Sequence, residues 1–578
     1  MLDIAALVAG LALLSIPGIF IWRAVFPEHD LADLLTWGAT AGLALAVLVA
    51  FYVSLVRLSL FWPLWMGVLA VSLLLARVRS SRRQPPAPDR TWYWLALLLA
   101  IVAVSRFLPT FFQAIPPGFD PSLHLLLAKK MLLADKLIYD LTPFESISLN
   151  YPLGSHLLVV VLSRLTSISL HRVYQLLIPA LGVITTAQVY GLARRVFRSS
   201  EIALYAALAY GMWAFLGSIG YYAWGGLPNE LGMVFLIAAI AILAESTCDL
   251  RCAAAIAVFL AAVFLTHHQV TLVAAITMGV AAGHLLLSPA GADPGQRAKL
   301  RALVMGGVGS VGLASAFLLP EVVKLRQIGE TDALRFQSAH SFLLLIAGMG
   351  VIFLAFASCG VVLACRRDTE RRTGMLLAMS VALFAAYLLC GPIYQTYSLH
   401  RWGEERTALE PSRFLTDLVY LLSVFAGYAM YRLAKRYRVA PGTAFALGLL
   451  LSLTNIPMWR DNFVADRDPD RWLAYTWIQQ HTPPDAVVLT SDQWAPYATW
   501  RQTLLTPVTA SDVRAGDNNA RRAAAALSAG HPPAVGTAIA VIAPGGKWNR
   551  GSVIWKSPSG WTVVQQWPDA DFRATALR

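Results

Sequence analysis

Residues 116–124 read Pro116-Pro117-Gly118-Phe119-Asp120-Pro121-Ser122-Leu123-His124 and continue LLLAKKMLLADKL. Aspartate is a favoured helix N-cap and proline a favoured first helical residue, so the spacing predicts a helix starting at Asp120. Asp120 and His124 are four apart and flank one side of its first turn. Spacing alone fits a plain capping aspartate beside a surface histidine equally well. The same polar stretch closes on Asn150-Tyr151-Pro152-Leu153-Gly154-Ser155-His156, which opens an apolar segment. Two acid/histidine or tyrosine/histidine clusters bracketing one loop are less ordinary than a single cap.

Apolar runs surround that loop. Of 578 residues, 57% are hydrophobic and 14% charged, and the mean hydropathy is +0.59. Soluble domains carry about 25% charged residues. A hydrocarbon core about 30 Å thick takes about 20 apolar residues per helix. Spans are predicted over 4–26, 33–57, 59–77, 91–109, 172–194, 201–220, 227–246, 251–266, 270–287, 301–320, 341–364, 374–394, 413–432 and 439–457. The stretch 251–287 admits another division, and 153–170 is a candidate to dip into the membrane. The expected class is therefore a polytopic α-helical membrane protein of about 11–14 transmembrane helices. The first run has no basic n-region and no small-residue cleavage site before Arg23, so it reads as a retained span.

The net charge of +13 would suggest nucleic acid in a soluble chain. Here the basic residues gather in short clusters between apolar runs, as bilayer orientation requires, so no nucleic-acid partner is expected. The strongest cluster, Arg77, Arg79, Arg82, Arg83 and Arg90, places its loop in the cytoplasm. Counting spans outward puts Arg194–Arg195–Arg198, Arg297–Lys299–Arg301, Arg366–Arg367–Arg371–Arg372 and Arg432–Lys435–Arg436–Arg438 on that side too. The segment 110–152, the loops 321–340 and 395–412, and the tail from about 458 fall on the other. In the tail, 471–480 reads as an amphipathic helix, and 486–490 and 538–543 as short strands. A Ser557–Gly560 turn joins VIW to WTVVQQW as a hairpin, completing a small α/β C-terminal extracytoplasmic domain. The five cysteines lie outside that tail, so no disulfide framework is expected there. Cys248 and Cys252 lack a further Cys/His pair, which argues against zinc.

Further polar groups stand at predicted outer ends of spans. Tyr221-Tyr222-Ala223-Trp224-Gly225-Gly226-Leu227-Pro228-Asn229-Glu230 joins two spans, and its aromatics also suit an interfacial belt. His267 and His268 lie between two apolar runs, where ionisable groups are costly and often functional. Arg401, Arg406 and Arg413 run against the positive-inside trend. They suit an anionic ligand, because guanidinium forks match phosphate oxygens, although Glu404, Glu405 and Glu410 could pair with them. No GxxxxGK(S/T), GxGxxG after a strand, HExxH, GxSxG or CxxC pair is present, so nucleotide, serine and zinc hydrolysis have no support.

The order of these pieces resembles the GT-C superfamily of glycosyltransferases, which includes protein O-mannosyltransferases, the aminoarabinose transferases of lipid A and oligosaccharyltransferases. The carriers are Asp120-x-x-x-His124, then Tyr151-Pro152-x-x-x-His156, polar span ends, an arginine opening a late span, and an external tail. The likeness covers about residue 91 to the end. It implies an N-terminal addition over 1–90, a catalytic membrane domain over 91–457 with its outer loop at 110–170, and an extracytoplasmic domain over 458–578. The single Asp120 departs from the paired acids of the O-mannosyltransferases. The acidic metal-ligand set of the oligosaccharyltransferases is not evident, so no cofactor is assigned and a divalent cation is unsupported.

The resemblance also implies a multi-pass protein of the cell membrane using a polyprenyl-phosphate-linked sugar and a glycan, lipid or protein acceptor, usually with inversion. Asp120 would be the general base and His124 would orient the acceptor or Asp120. Arg413, with Arg401 and Arg406, would bind the lipid phosphate. Tyr151, His156, Trp224, Asn229, Glu230, His267 and His268 would line the substrate site. A transporter or flippase of a lipid-linked or anionic substrate is the alternative. It would place ionisable groups near the midplane in repeated halves, whereas these cluster at span ends with no repeat. A surface-polysaccharide polymerase or ligase would use similar donors.

Overall fold

The structure is a computed structural model that describes residues 1–79, 91–118, 120–139, 151–245, 248–287, 294–327, 349–366, 371–394, 396–397, 400, 411–455, 469–483, 486–490, 494–500, 502–505, 538–542, 552–558 and 562–565. Among them, nine helices are long and apolar enough to cross a membrane: Leu2–Val25, Leu31–Ser54, Leu58–Val78, Thr91–Phe111, Leu170–Phe197, His268–Leu287, Gly295–Pro320, Thr373–Ile393 and Arg413–Arg436. A tenth candidate is the pair Ser200–Trp213 and Phe215–Trp224, bent by 53°. Wide π-turns flank that bend, and Ala214 leaves the helical region at ψ 95.

Four expected spans, over 227–246, 251–266, 341–364 and 439–457, contain shorter described helices of 17, 17, 15 and 11 residues. Leu227–Leu243 is the most deeply buried of these. Every residue in it is buried, and a helix apolar on all sides serves equally well as the centre of a bundle. It packs on Leu170–Phe197 and Leu250–Thr266. Small residues let other helices close on one another, as where Gly427 meets Ala206.

Side-chain contacts sort the loops to opposite ends of helix Leu170–Phe197. Near its C-terminus, Arg194 binds Asp30 at 2.6 Å and Asp33 at 2.8 Å, and Arg195 binds Asp33 at 2.9 Å and also Glu245. The Trp37 indole donates to Asp33 Oδ1 at 3.0 Å. Near its N-terminus, Arg172 Nη1 donates to the Thr110 carbonyl at 2.7 Å. The loops after Val25, Phe197 and Leu243 therefore share one end, and the segment leading to Gly118 lies at the other.

The chain divides into two compact units. The membrane unit holds 1–118, 135–137 and the described residues of 151–455. The second unit holds helix Asp120–Ala134 together with the described tail. Among the described residues, five strands are β1 Val487–Thr490, β2 Gln502–Leu505, β3 Ala538–Ile542, β4 Ser552–Lys556 and β5 Thr562–Gln565. They form one mixed sheet in the order β2-β1-β3-β5-β4. β1 runs parallel to β2 and β3, while β5 runs antiparallel to β3 and β4. Ala474, Tyr475 and Ile478 of helix Pro469–His481 are buried, as are Val488 and Val563 of the sheet.

Candidate functional site

The segment leading to Asp120 is fastened from both sides within the membrane unit. Arg172 Nη1 donates to Gln175 Oε1 at 2.7 Å, and Gln175 Nε2 donates to the carbonyls of Gln113 at 3.1 Å and Ile115 at 3.2 Å. The Tyr222 hydroxyl bonds Gln113 Oε1. Gly118 has φ +90, and a Cβ there would collide with the Trp224 backbone. Only glycine meets both demands at no steric cost. The turn it packs on is held in turn, since the Tyr174 hydroxyl donates to the Gly225 carbonyl at 2.6 Å.

Five rings and one guanidinium gather beside this turn. The Tyr151 ring stands edge-on to His156, His267 and His268, with centroids at 5.8, 5.7 and 5.3 Å. His267 and His268 stack at 4.8 Å. His267 is buried and His268 exposed. Arg413 Nη1 lies 3.2 Å from His267 Nε2, and its guanidinium carbon lies 4.6 Å from the Trp224 ring centroid.

His267 stands at the start of helix His268–Leu287. Its carbonyl accepts the first helical bond from Thr271 N, and Val270 N–H lies 3.3 Å from its Nδ1. It is thus an N-cap residue of that helix. On its other side, Nε2 is hydrogen-bonded to Arg413 Nη1 at 3.2 Å, with the roles of the ring nitrogens set by the imidazole tautomer. A guanidinium carries five N–H donors in a fork that suits an anionic oxygen.

One turn beyond Arg413, Asp417 registers its helix on the 221–229 turn. Asp417 Oδ1 accepts from the Tyr221 hydroxyl at 2.7 Å and from Asn229 Nδ2 at 3.0 Å. Tyr221 stands 5.7 Å from Trp224, ring to ring. Glu230 is fully buried. Arg106 Nη2 donates to the Gly211 carbonyl at the bent span.

No protein-family model and no curated protein matches the sequence. Solved structures do match. ArnT from Cupriavidus metallidurans bound to undecaprenyl phosphate superposes with a TM-score of 0.56 at 14% identity, covering 83% of this chain and 99% of that one. The archaeal oligosaccharyltransferase AglB from Archaeoglobus fulgidus, with an inhibitory peptide and a dolichol-phosphate, gives 0.52 at 14% identity, covering 78% and 69%. Both are GT-C proteins. This chain has a GT-C fold.

Within the GT-C fold, six of the residues singled out in the sequence form one run of contacts: Tyr151, His156, His267, His268, Arg413 and Trp224. Asn229 and Glu230 are fully buried behind it, and Asn229 serves Asp417. Asp120 opens the helix of the second unit with His124 one turn on, both half-buried. Arg401 and Arg406 lie outside the described residues. Sequence reasoning passed over Gln175, Arg106 and Asp417. The last two carried a legible signal, because each is an ionisable residue inside an apolar helix. Among the described residues, no group of three or more His, Cys, Asp or Glu could hold a metal ion.

Proposed function

We propose that the protein is a membrane glycosyltransferase that moves a sugar from a polyprenyl-phosphate-linked donor to an acceptor on the extracytoplasmic face. The observation that carries this reading is the Arg413 guanidinium, hydrogen-bonded to His267 Nε2 at 3.2 Å and set over the Trp224 ring, a fork suited to phosphate oxygens. The Trp224 face holds the guanidinium plane in place. The lipid phosphates bound by the solved GT-C structures, undecaprenyl phosphate and dolichol-phosphate, support this assignment. Arg401 and Arg406 are proposed as further phosphate donors, and Tyr151 as a ring for a sugar face.

In the proposed reaction the Asp120 carboxylate takes the proton of the acceptor hydroxyl while that oxygen attacks the anomeric carbon. The bond from the anomeric carbon to the phosphate oxygen breaks, and its electron pair stays on the lipid phosphate. The configuration inverts. The growing phosphate charge is met by Arg413 and His267, which are fixed before the reaction begins. His124 orients the acceptor or Asp120.

The test uses the purified full chain in vesicles with a polyprenyl-phosphate donor labelled in its sugar. Label should pass to a cell-envelope glycan acceptor with release of polyprenyl phosphate, and Asp120→Asn should bind donor yet lose transfer. Normal turnover by Asp120→Asn removes the base assignment. Movement of the intact labelled lipid between leaflets, with no ester cleavage, favours a flippase instead.

A further inference from the structure

Helix Asp120–Ala134 packs in the same compact unit as the C-terminal tail. Lys129 contributes to the tie. Lys129 Nζ donates to the Tyr497 carbonyl at 2.9 Å, and lies 5.2 Å from the Tyr497 ring centroid and 4.7 Å from that of Trp500. An ammonium set over two π faces while it bonds a carbonyl is held in direction as well as by charge.

The receiving side is built into the tail. Tyr497 belongs to the short helix Ala495–Thr499 and is buried, as is Trp494. Trp472, from helix Pro469–His481, lies 6.2 Å from Tyr497 and 6.3 Å from Trp494. Trp500 follows the short helix at φ +53, a conformation that a bulky side chain adopts only where its surroundings require it. Nine residues separate Asp120 from Lys129, about 180° around a helix of 3.6 residues per turn. The Lys129 contact therefore lies on the face of the helix opposite Asp120.

We infer that Lys129 is a positioning residue: through Tyr497 and Trp500 it fixes helix Asp120–Ala134 to the C-terminal domain, and so sets where the base stands. The inference rests on the reading of Asp120 as the base. It gives the tail a part in the reaction without any contact to substrate.

The test compares Lys129→Met, which keeps the stem and removes the charge, with Lys129→Arg, which keeps a cation able to stack and donate. Both are made in the full chain in vesicles, with Asp120→Asn measured alongside. Transfer rates are normalised to folded protein by near-ultraviolet circular dichroism. Lys129→Met should lower kcat at least tenfold while the donor KM stays within twofold, and Lys129→Arg should recover kcat to within threefold. A wild-type kcat in Lys129→Met, or a loss that Lys129→Arg does not restore, overturns the inference while leaving an inactive Asp120→Asn, and the base, in place. An active Asp120→Asn overturns the base reading, and this inference with it.

Discussion

Gly118 and Trp224 touch backbone to backbone, with no room for a Cβ between them. Gly118 stands two residues before Asp120, and the Trp224 ring carries the Arg413 guanidinium. That contact fixes the end of the segment before Asp120 and the backbone of the residue under Arg413. Gly118→Ala must move one of the two chains and also strain a φ of +90. It should lower kcat at least tenfold and raise the donor KM. Gly67→Ala is the control, because a Cβ there meets nothing within 4 Å and helix interiors favour alanine by about 1 kcal/mol. Transfer kinetics on both variants separate a local effect from a general cost of replacing glycine.

Arg413 and His267 act as a pair in the proposed phosphate site, so their substitutions should not add. Arg413→Lys keeps the charge but loses the plane that lies on Trp224. We expect a donor KM about tenfold higher, one decade being about 1.4 kcal/mol. Arg413→Ala should cost more, and His267→Ala in that background should add little. Donor titrations of the two single variants and the double variant test this, and fully additive effects would show two independent sites.

Asp417 tests whether registry of the late helix matters. Asp417→Asn retains an oxygen for the Tyr221 hydroxyl and the Asn229 amide, and should melt near wild type. Asp417→Leu leaves two buried donors facing an apolar group, at a cost of about 1–3 kcal/mol each. A lower melting temperature in detergent for Leu than for Asn is the expected order.

At the opposite end, Asp33 receives Arg194, Arg195 and the Trp37 indole. Removing one partner of a buried pair costs about 3–5 kcal/mol. Asp33→Asn should therefore lower thermal stability clearly while the donor KM of the folded fraction stays unchanged.

Asp135 follows helix Asp120–Ala134 at φ +55 and makes a pH-sensitive tie within the membrane unit. Desolvation opposes its ionisation, but the Ser59 hydroxyl and the Arg164 guanidinium, 2.7 Å away, outweigh that and hold its carboxyl below the usual range. A carboxyl depressed on folding stabilises above its unfolded value, about 3.9, and loses that contribution as pH falls through the folded value. The tie should thus hold across neutral pH and fail only in acid. The difference in melting temperature between wild type and Asp135→Asn should be constant above pH 5 and shrink as pH falls below about 4.

Much of the site was legible in particular residues. His267, His268, Tyr151 and Arg413 stood out because polar side chains at the ends of apolar helices are costly unless used. Gln175 gave no such sign, since one glutamine in a polar helix start is ordinary, and only its bonds to Gln113 and Ile115 show that it shapes the approach to Asp120. The strand Gln502–Leu505 was passed over for a similar reason: it is an edge strand of four residues, too short for a period to register.

The membrane class, the run of helices and the helix start at Asp120 could be read along the chain. Each depends on apolar length, charge placement or capping, which are properties of neighbouring residues. That His267 meets Arg413 across 146 positions, and that Leu227–Leu243 is buried along its whole length, emerged only with the packed helices. Packing alone placed the helix bearing Asp120 in one unit with the tail. Those facts depend on which helix faces pack together, and hydrophobic burial fixes that by area and shape with no local mark in the sequence.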